Sequence, residues 1–499
     1  MPKKQYPSNP SLAHFKHQAK DLLKAARQGA PEALQRIQEF HPRFKDETAA
    51  KTASYALSDA QFVIAREYDF ASWGKLRECM DAVESYKCAP HKDIPEKASP
   101  TPSDIADEFL RLSCLTYGSD HPSRWEKARQ LWADHPEIRK ANIHIAAASG
   151  DLETARALLA ENPKLARSRG GPYLWEPLLY AAYSRFDSSD PGFSSLEVAR
   201  QLLQHGADPN AGYLWEGFYL FTALTGVFGE GEAGPVNQPR HQQWEEFSHL
   251  LLKAGANPND VQALYNRMFT KGATHLELLL SYGLGKPHKG PWPKRMGGKL
   301  DSPEKILSDQ LHWAAEHDHF DRVKLLVNHG VDMEKTCRGK TPYEAALLGG
   351  NTEIASFLLD HGAKKIALDP IEAFSAACLS ANRVEAATLI ENDAGLLEKM
   401  GPRQSQLLGT AAGSHRLEAI QLMIDLGFSV NTLGRNTALH EAAWAGDLEM
   451  IDLLIKLGAD TTIRDRAYNA TPLQWAEYNH QQKAAEHLRL LETPPASDT

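Results

Sequence analysis

Thr437-Ala-Leu-His-Glu-Ala-Ala-Trp-Ala-Gly446-Asp-Leu-Glu-Met-Ile-Asp-Leu-Leu-Ile-Lys-Leu-Gly458-Ala-Asp460 divides into two short apolar runs, each closed by a glycine. Leu439, Ala442 and Ala443 fall at i, i+3 and i+4, one face of a first helix, and the alanines let a neighbouring helix come close. Thr437 stands where it can cap that helix by accepting a bond from a free backbone amide. Leu448 to Ile455 is apolar on more than one side, as a helix held between neighbours should be. Gly458 suits the left-handed residue that ends it. The phrase returns at 311–332 (Leu311, His312, Ala314, Ala315, Leu325, Leu326, Gly330) and at 143–159 (Ile143, His144, Ala146, Ala147, Gly150, Leu158, Leu159). Thr341-Pro342 and Thr471-Pro472 put proline just after the cap, where its missing N–H costs nothing.

Helix-ending glycines recur at Gly206, Gly255, Gly283, Gly330, Gly362, Gly427 and Gly458, with steps such as 32 residues (330 to 362) and 31 (427 to 458). A fixed period of this size predicts stacked helix pairs, each burying its apolar faces on its neighbours. The pairs fall near 139–170, 174–210, 218–259, 260–284, 307–336, 340–366, 369–396, 404–432, 436–465 and 470–491, with a degenerate copy at 105–138. Residues 1–85 read as a small helical domain of similar hairpins, residues 86–103 as a proline-rich linker, 104–492 as the array, and 493–499 as a disordered tail.

These units resemble the ankyrin repeat. The resemblance implies an all-α solenoid of helix-turn-helix units joined by β-hairpin fingers, preceded by the small N-terminal helical domain. It extends beyond the generic unit. Leu57-Ser-Asp-Ala-Gln-Phe-Val-Ile-Ala-Arg-Glu-Tyr-Asp-Phe-Ala-Ser-Trp73 is similar to a segment at the head of many bacterial ankyrin-repeat proteins. Gly170-Gly-Pro-Tyr-Leu-Trp-Glu-Pro-Leu-Leu-Tyr180, Phe221 to Gly226 and Gln262 to Arg267 are similar to segments of the same group. The resemblance implies a fold and no reaction.

The totals agree with a binding scaffold. Net charge is −9 across 499 residues, which removes any general electrostatic pull toward nucleic acid or an anionic membrane. Five scattered cysteines without C-x-x-C spacing argue against a disulfide framework or a zinc knuckle. Met1 to Pro7 lacks the apolar core of a signal peptide, and no run is long enough to span a bilayer, so the expected location is the cytoplasm. No G-x-S-x-G, P-loop or H-E-x-x-H appears, so no catalytic residue, metal site or cofactor is assigned.

Aromatic residues crowd into 173–221, with 11 in 49 positions where roughly 4 would be average. Tyr173 and Trp175 fall in one finger, and Tyr213, Trp215, Phe218 and Tyr219 in the next. Side by side, these rings would form a patch that, with the concave helix face of the array, is expected to bind another protein in a non-catalytic scaffold, since Tyr and Trp dominate binding hot spots. The competing reading is that they brace one another inside long fingers. Helix-to-helix turns lengthen at 116–123, 187–195 and most of all 229–243. An alternative small-molecule or catalytic site would gather Glu230, Glu232, His241, Asp260, Tyr265, Asn266 and Arg267 around that last insert. The basic insert Lys286–Lys299, carrying Trp292, is the one local candidate for an anionic partner, and it has no groove-reading motif. His144, His312 and His440 share a repeat position where the ring should bond to backbone of adjoining units, which accounts for them without a metal.

Overall fold

The computed structural model describes residues 4, 7, 10–46, 54–92, 100–188 and 192–492. Helix pairs follow one another through the chain as the period requires, and the fold is an all-α repeat array carrying one small sheet. It divides into two compact units. One comprises Met1–Gly229, Gln238–Asn266 and Lys286–Ser302, and the other Glu230–Asn237, Arg267–Gly285 and Pro303–Thr499.

In the first unit the N-terminal helices Leu12–Arg27, Pro31–Phe40, Leu57–Glu67 and Trp73–Tyr86 bury Phe15, Leu22, Ile37, Ile64, Phe70 and Leu76. Leu214, Trp292 and Met296 belong to the same core. The expected boundary between a separate 1–85 domain and the array is therefore corrected: the early helices share a core with repeat residues. The expected linker also starts too soon. Lys87–Cys88 forms strand β1, paired in parallel with β2 (Gly212–Trp215), which turns back antiparallel into β3 (Tyr219–Thr222). Linker residues 93–99 and the tail 493–499 lie outside the described residues.

The basic insert is explained here too. Trp292 is buried, its Nε1 donates to the Asn210 carbonyl at 2.8 Å, and its ring meets Tyr86 edge-on at 5.1 Å. Arg295 lies over both rings, and Lys299 pairs with Asp69 at 3.2 Å. Two of the insert's charges, Arg295 and Lys299, thus brace the N-terminal helical region.

The second unit holds the cleanest repeats. Its helix pairs are Pro303–Glu316 with Phe320–Asn328, Pro342–Leu348 with Thr352–Asp360, Pro370–Leu379 with Arg383–Asn392, Arg403–Gly413 with Leu417–Asp425, Ala438–Ala445 with Leu448–Lys456, and Pro472–Tyr478 with Gln482–Glu492. Thr341 and Thr471 start their helices with reciprocal capping boxes to Glu344 and Gln474. Thr437 departs from the expected cap: its hydroxyl lies 2.8 Å from His440 Nδ1 instead of taking an amide. Gly330, Gly362, Gly427 and Gly458 all have positive φ, as helix-ending residues require.

The turns between paired helices draw together in this unit. Arg416, in the fourth pair's turn, donates to the carbonyls of Gly349 and Leu379 and to the side-chain oxygen of Asn351. One guanidinium thus ties three successive turns. Glycines at 349 and 350 make room, because a Cβ at 350 would come 2.6 Å from Leu379 Cβ and 2.5 Å from Arg416 Nη1.

Candidate partner-binding surface

The rings of 173–221 do not form the open patch expected of them. Trp175 and Tyr213 are each 2% exposed and Tyr173 8%. Trp175 stacks on Tyr213 with centroids 4.6 Å apart, and both meet Tyr183, at 5.0 and 5.7 Å. Tyr183 donates to the Thr222 carbonyl and Tyr180 to that of Gly170, each at 2.9 Å. Burial raises all of these phenols well above their ordinary pKa, so they stay neutral. Trp215 is half-buried, with Nε1 donating to the Thr116 carbonyl at 3.1 Å and its face 4.6 Å from the His91 ring. Phe218 and Tyr219 alone remain at the surface, at the hairpin tip, with Tyr219 58% exposed. The physical reason is β1: the stretch expected to be linker lies against the hairpin, and Pro90 takes the Tyr173 hydroxyl at 3.4 Å.

The residues named around the long insert resolve into separate structural bonds. Asp260, buried, accepts from the hydroxyls of Thr222 and Thr225 and from the Ala263 amide at 2.9 Å, and burial raises its pKa. Glu230 and Arg267 form a buried ion pair in the second unit. Asn266 accepts from Gln262 at 2.9 Å.

Ser195 and His241 show the chemistry most clearly. Ser195 Oγ lies 2.7 Å from Nε2, the spacing of a nucleophile and its base. The Gln243 amide, however, donates to Nδ1 at 3.1 Å, so the ring carries its proton on Nε2 and donates to the serine. That is the wrong tautomer for a base toward Ser195. Burial, helped by the positive Arg185 nearby, pushes His241 down to about 3 and holds it neutral. Arg185 is bound by the carbonyls of Pro239 (2.7 Å) and Gly226 (2.6 Å), while Gln238 donates to the buried Asp120 at 3.3 Å. Asp120, Arg185, Ser195, Gln238 and His241, at or beside the lengthened turns, thus bond within the first unit as a polar brace.

The repeat histidines divide. His144 Nε2 and His440 Nε2 reach the Ser168 and Ala470 carbonyls at 3.0 Å, as their position demands. His312 makes no such bond: its Nδ1 lies 3.8 Å from Glu316. Among the described residues no group of three metal-ligating side chains is present, and no helix is long and apolar enough to cross a membrane.

Open aromatic surface lies instead on the last two repeats. Trp444 stacks with Tyr478 at 6.1 Å and meets Trp475 edge-on at 5.8 Å. Tyr478 is 50% exposed, and Tyr468, in the finger between these repeats, is 70% exposed with the Arg435 guanidinium 5.8 Å from its ring. A signal for this face was available in the sequence. Trp444 and Tyr478 both stand two residues before the turn residue of their repeat, Gly446 and His480.

Comparison with known proteins bears on the repeats. The family model for ankyrin repeats matches three times, at residues 302–369, 374–465 and 408–493. The chain is similar to human palmitoyltransferase ZDHHC13, 28% identical over 203 residues, or 39% of this chain and 32% of that protein. It is similar to protein PhlB of Serratia liquefaciens, 37% identical over 79 residues, 15% of this chain and 35% of PhlB. The NF-kappa-B inhibitor cactus of Drosophila melanogaster is 42% identical over 52 residues, 10% of each chain. The matched stretch thus spans about a third or less of each relative. With helix pairs at this period, closed by left-handed glycines, and with the family matched over 302–369 and 374–493, that part of the chain is an array of ankyrin repeats, a unit that indicates a protein-protein interaction domain.

Proposed function

We propose that this protein is a non-catalytic, cytoplasmic scaffold that docks a protein partner on the last two repeats, through Trp444, Tyr478 and the Tyr468 finger. The observation that carries the reading is the contrast in exposure: Trp175 and Tyr213 are sealed, while Tyr468 and Tyr478 stand in solvent on adjoining repeats. Large rings with few torsions give contact area at small entropic cost, and the Arg435 guanidinium adds a charge-bearing edge. A non-catalytic role is supported by the tautomer of His241 and by the thiols. Burial pushes Cys79 up to about 11 and Cys88, Cys114 and Cys378 up to about 12, which leaves them protonated at neutral pH.

The test compares partners captured from the native cell by wild type, by Tyr468→Ala with Tyr478→Ala, and by Phe218→Ala with Tyr219→Ala, all with matched melting. A specific partner lost at least tenfold with the first pair and kept with the second supports the reading. Loss with the second pair alone would move the docking face to the hairpin tip.

A further inference from the structure

Segment Glu230–Asn237 packs as part of the C-terminal unit, and both of its ends are buried there. At one end Glu230 pairs with Arg267 and accepts from the Thr270 hydroxyl at 2.7 Å. Arg322 fastens this anchor to the helix Phe320–Asn328, donating to the carbonyls of Gly272 (2.8 Å) and Arg267 (2.9 Å). At the other end Asn237 donates to the Tyr478 carbonyl at 3.3 Å, and His480 Nε2 lies 2.9 Å from its side-chain oxygen. Between the anchors Gly234 has φ +77, and a Cβ there would approach the Asn479 oxygen to 3.3 Å.

Reach makes this arrangement informative. Seven peptide steps span about 25 Å at most. Six helix pairs in a straight row, spaced at about 8–10 Å, would hold their ends roughly 40–50 Å apart. The segment can touch both ends only because the turns of this unit are drawn together, as they are around Arg416.

We propose that Glu230–Asn237 is an intramolecular strap that fastens the last repeat to the first in the C-terminal unit, so that the end repeat opens with the unit instead of fraying alone. Repeats in an array pack mainly on their neighbours, and a terminal repeat, with one neighbour, is ordinarily the first to open. The strap supplies the missing second contact, through side chains more than 240 positions away in sequence for His480 and Asn237. This holds whether or not the ring surface is the docking face.

Amide hydrogen exchange on the full chain tests the strap with two variants. Asn237→Ala removes its far anchor. His480→Gly removes the ring that meets Asn237 while placing glycine at a residue with φ +55, which by local conformation alone should steady the turn. The strap predicts exchange at least fivefold faster across 472–492 in both variants, with 342–360 unchanged. Unchanged or slower exchange across 472–492 in His480→Gly, or an even change along the whole unit in both, would overturn it.

Discussion

Gly350 shows how one residue governs the packing of several repeats. Its φ is +70, which glycine adopts without strain, and its missing side chain leaves space for Leu379 and Arg416 from two later turns. Gly458 has φ +90, and nothing lies within 4 Å of the place a Cβ would take. Gly458→Ala should therefore cost about 1 kcal/mol from backbone conformation alone. Gly350→Ala adds a steric clash and should cost about 2–4 kcal/mol. Denaturant unfolding of both variants checks this, and equal losses would show that the turns do not press on one another. The left-handed preference of both glycines is legible from the repeat phrase. The crowding at Gly350 is not, because it comes from residues 29 and 66 positions away.

Within single elements, periodicity predicts the buried face well and the depth of each side chain less well. In the helix Leu448–Lys456, Met450, Ile451 and Leu454 are buried, whereas Leu453 is only partly so. The repeated Leu-Leu pair makes both leucines look equally deep. Leu454→Ala should cost about 2–5 kcal/mol and Leu453→Ala clearly less, measured as the shift in unfolding midpoint. The β2–β3 hairpin teaches the same lesson more sharply. Its aromatic content is plain in the sequence, yet Trp175 and Tyr213 turn inward because β1 and Tyr183 enclose them. Trp175→Ala should destabilise the N-terminal unit by about 3–5 kcal/mol, as loss of a core ring does. A stable Trp175→Ala that merely lost a partner would restore the exposed-patch reading.

Across the whole molecule, stability should fall on mild acidification. His241 is held neutral down to about 3 and His319 to about 4, in each case first by burial and then by nearby arginine charge. The unfolded chain protonates both near 6.5, so it binds more protons than the native state as pH drops from 6.5 toward those values. Their contribution is complete above pH 6.5 and is lost progressively below it. Between pH 7 and pH 4.5 His241 alone should account for about 2–3 kcal/mol. His241→Gln, which keeps a donor toward Ser195, should flatten the dependence of unfolding free energy on pH, and an unaltered slope would contradict the buried neutral ring. The sequence by itself determined the helix pairs, their period, their capping threonines and their closing glycines, because each depends on residues within about one repeat. Only the tertiary structure decided which rings face solvent, that Lys87–Cys88 is a strand, and that Glu230–Asn237 bridges distant repeats. Those outcomes rest on contacts such as Trp215 to Thr116 and Asn237 to Tyr478, across 99 and 241 positions, and no local pattern encodes a contact at such separation.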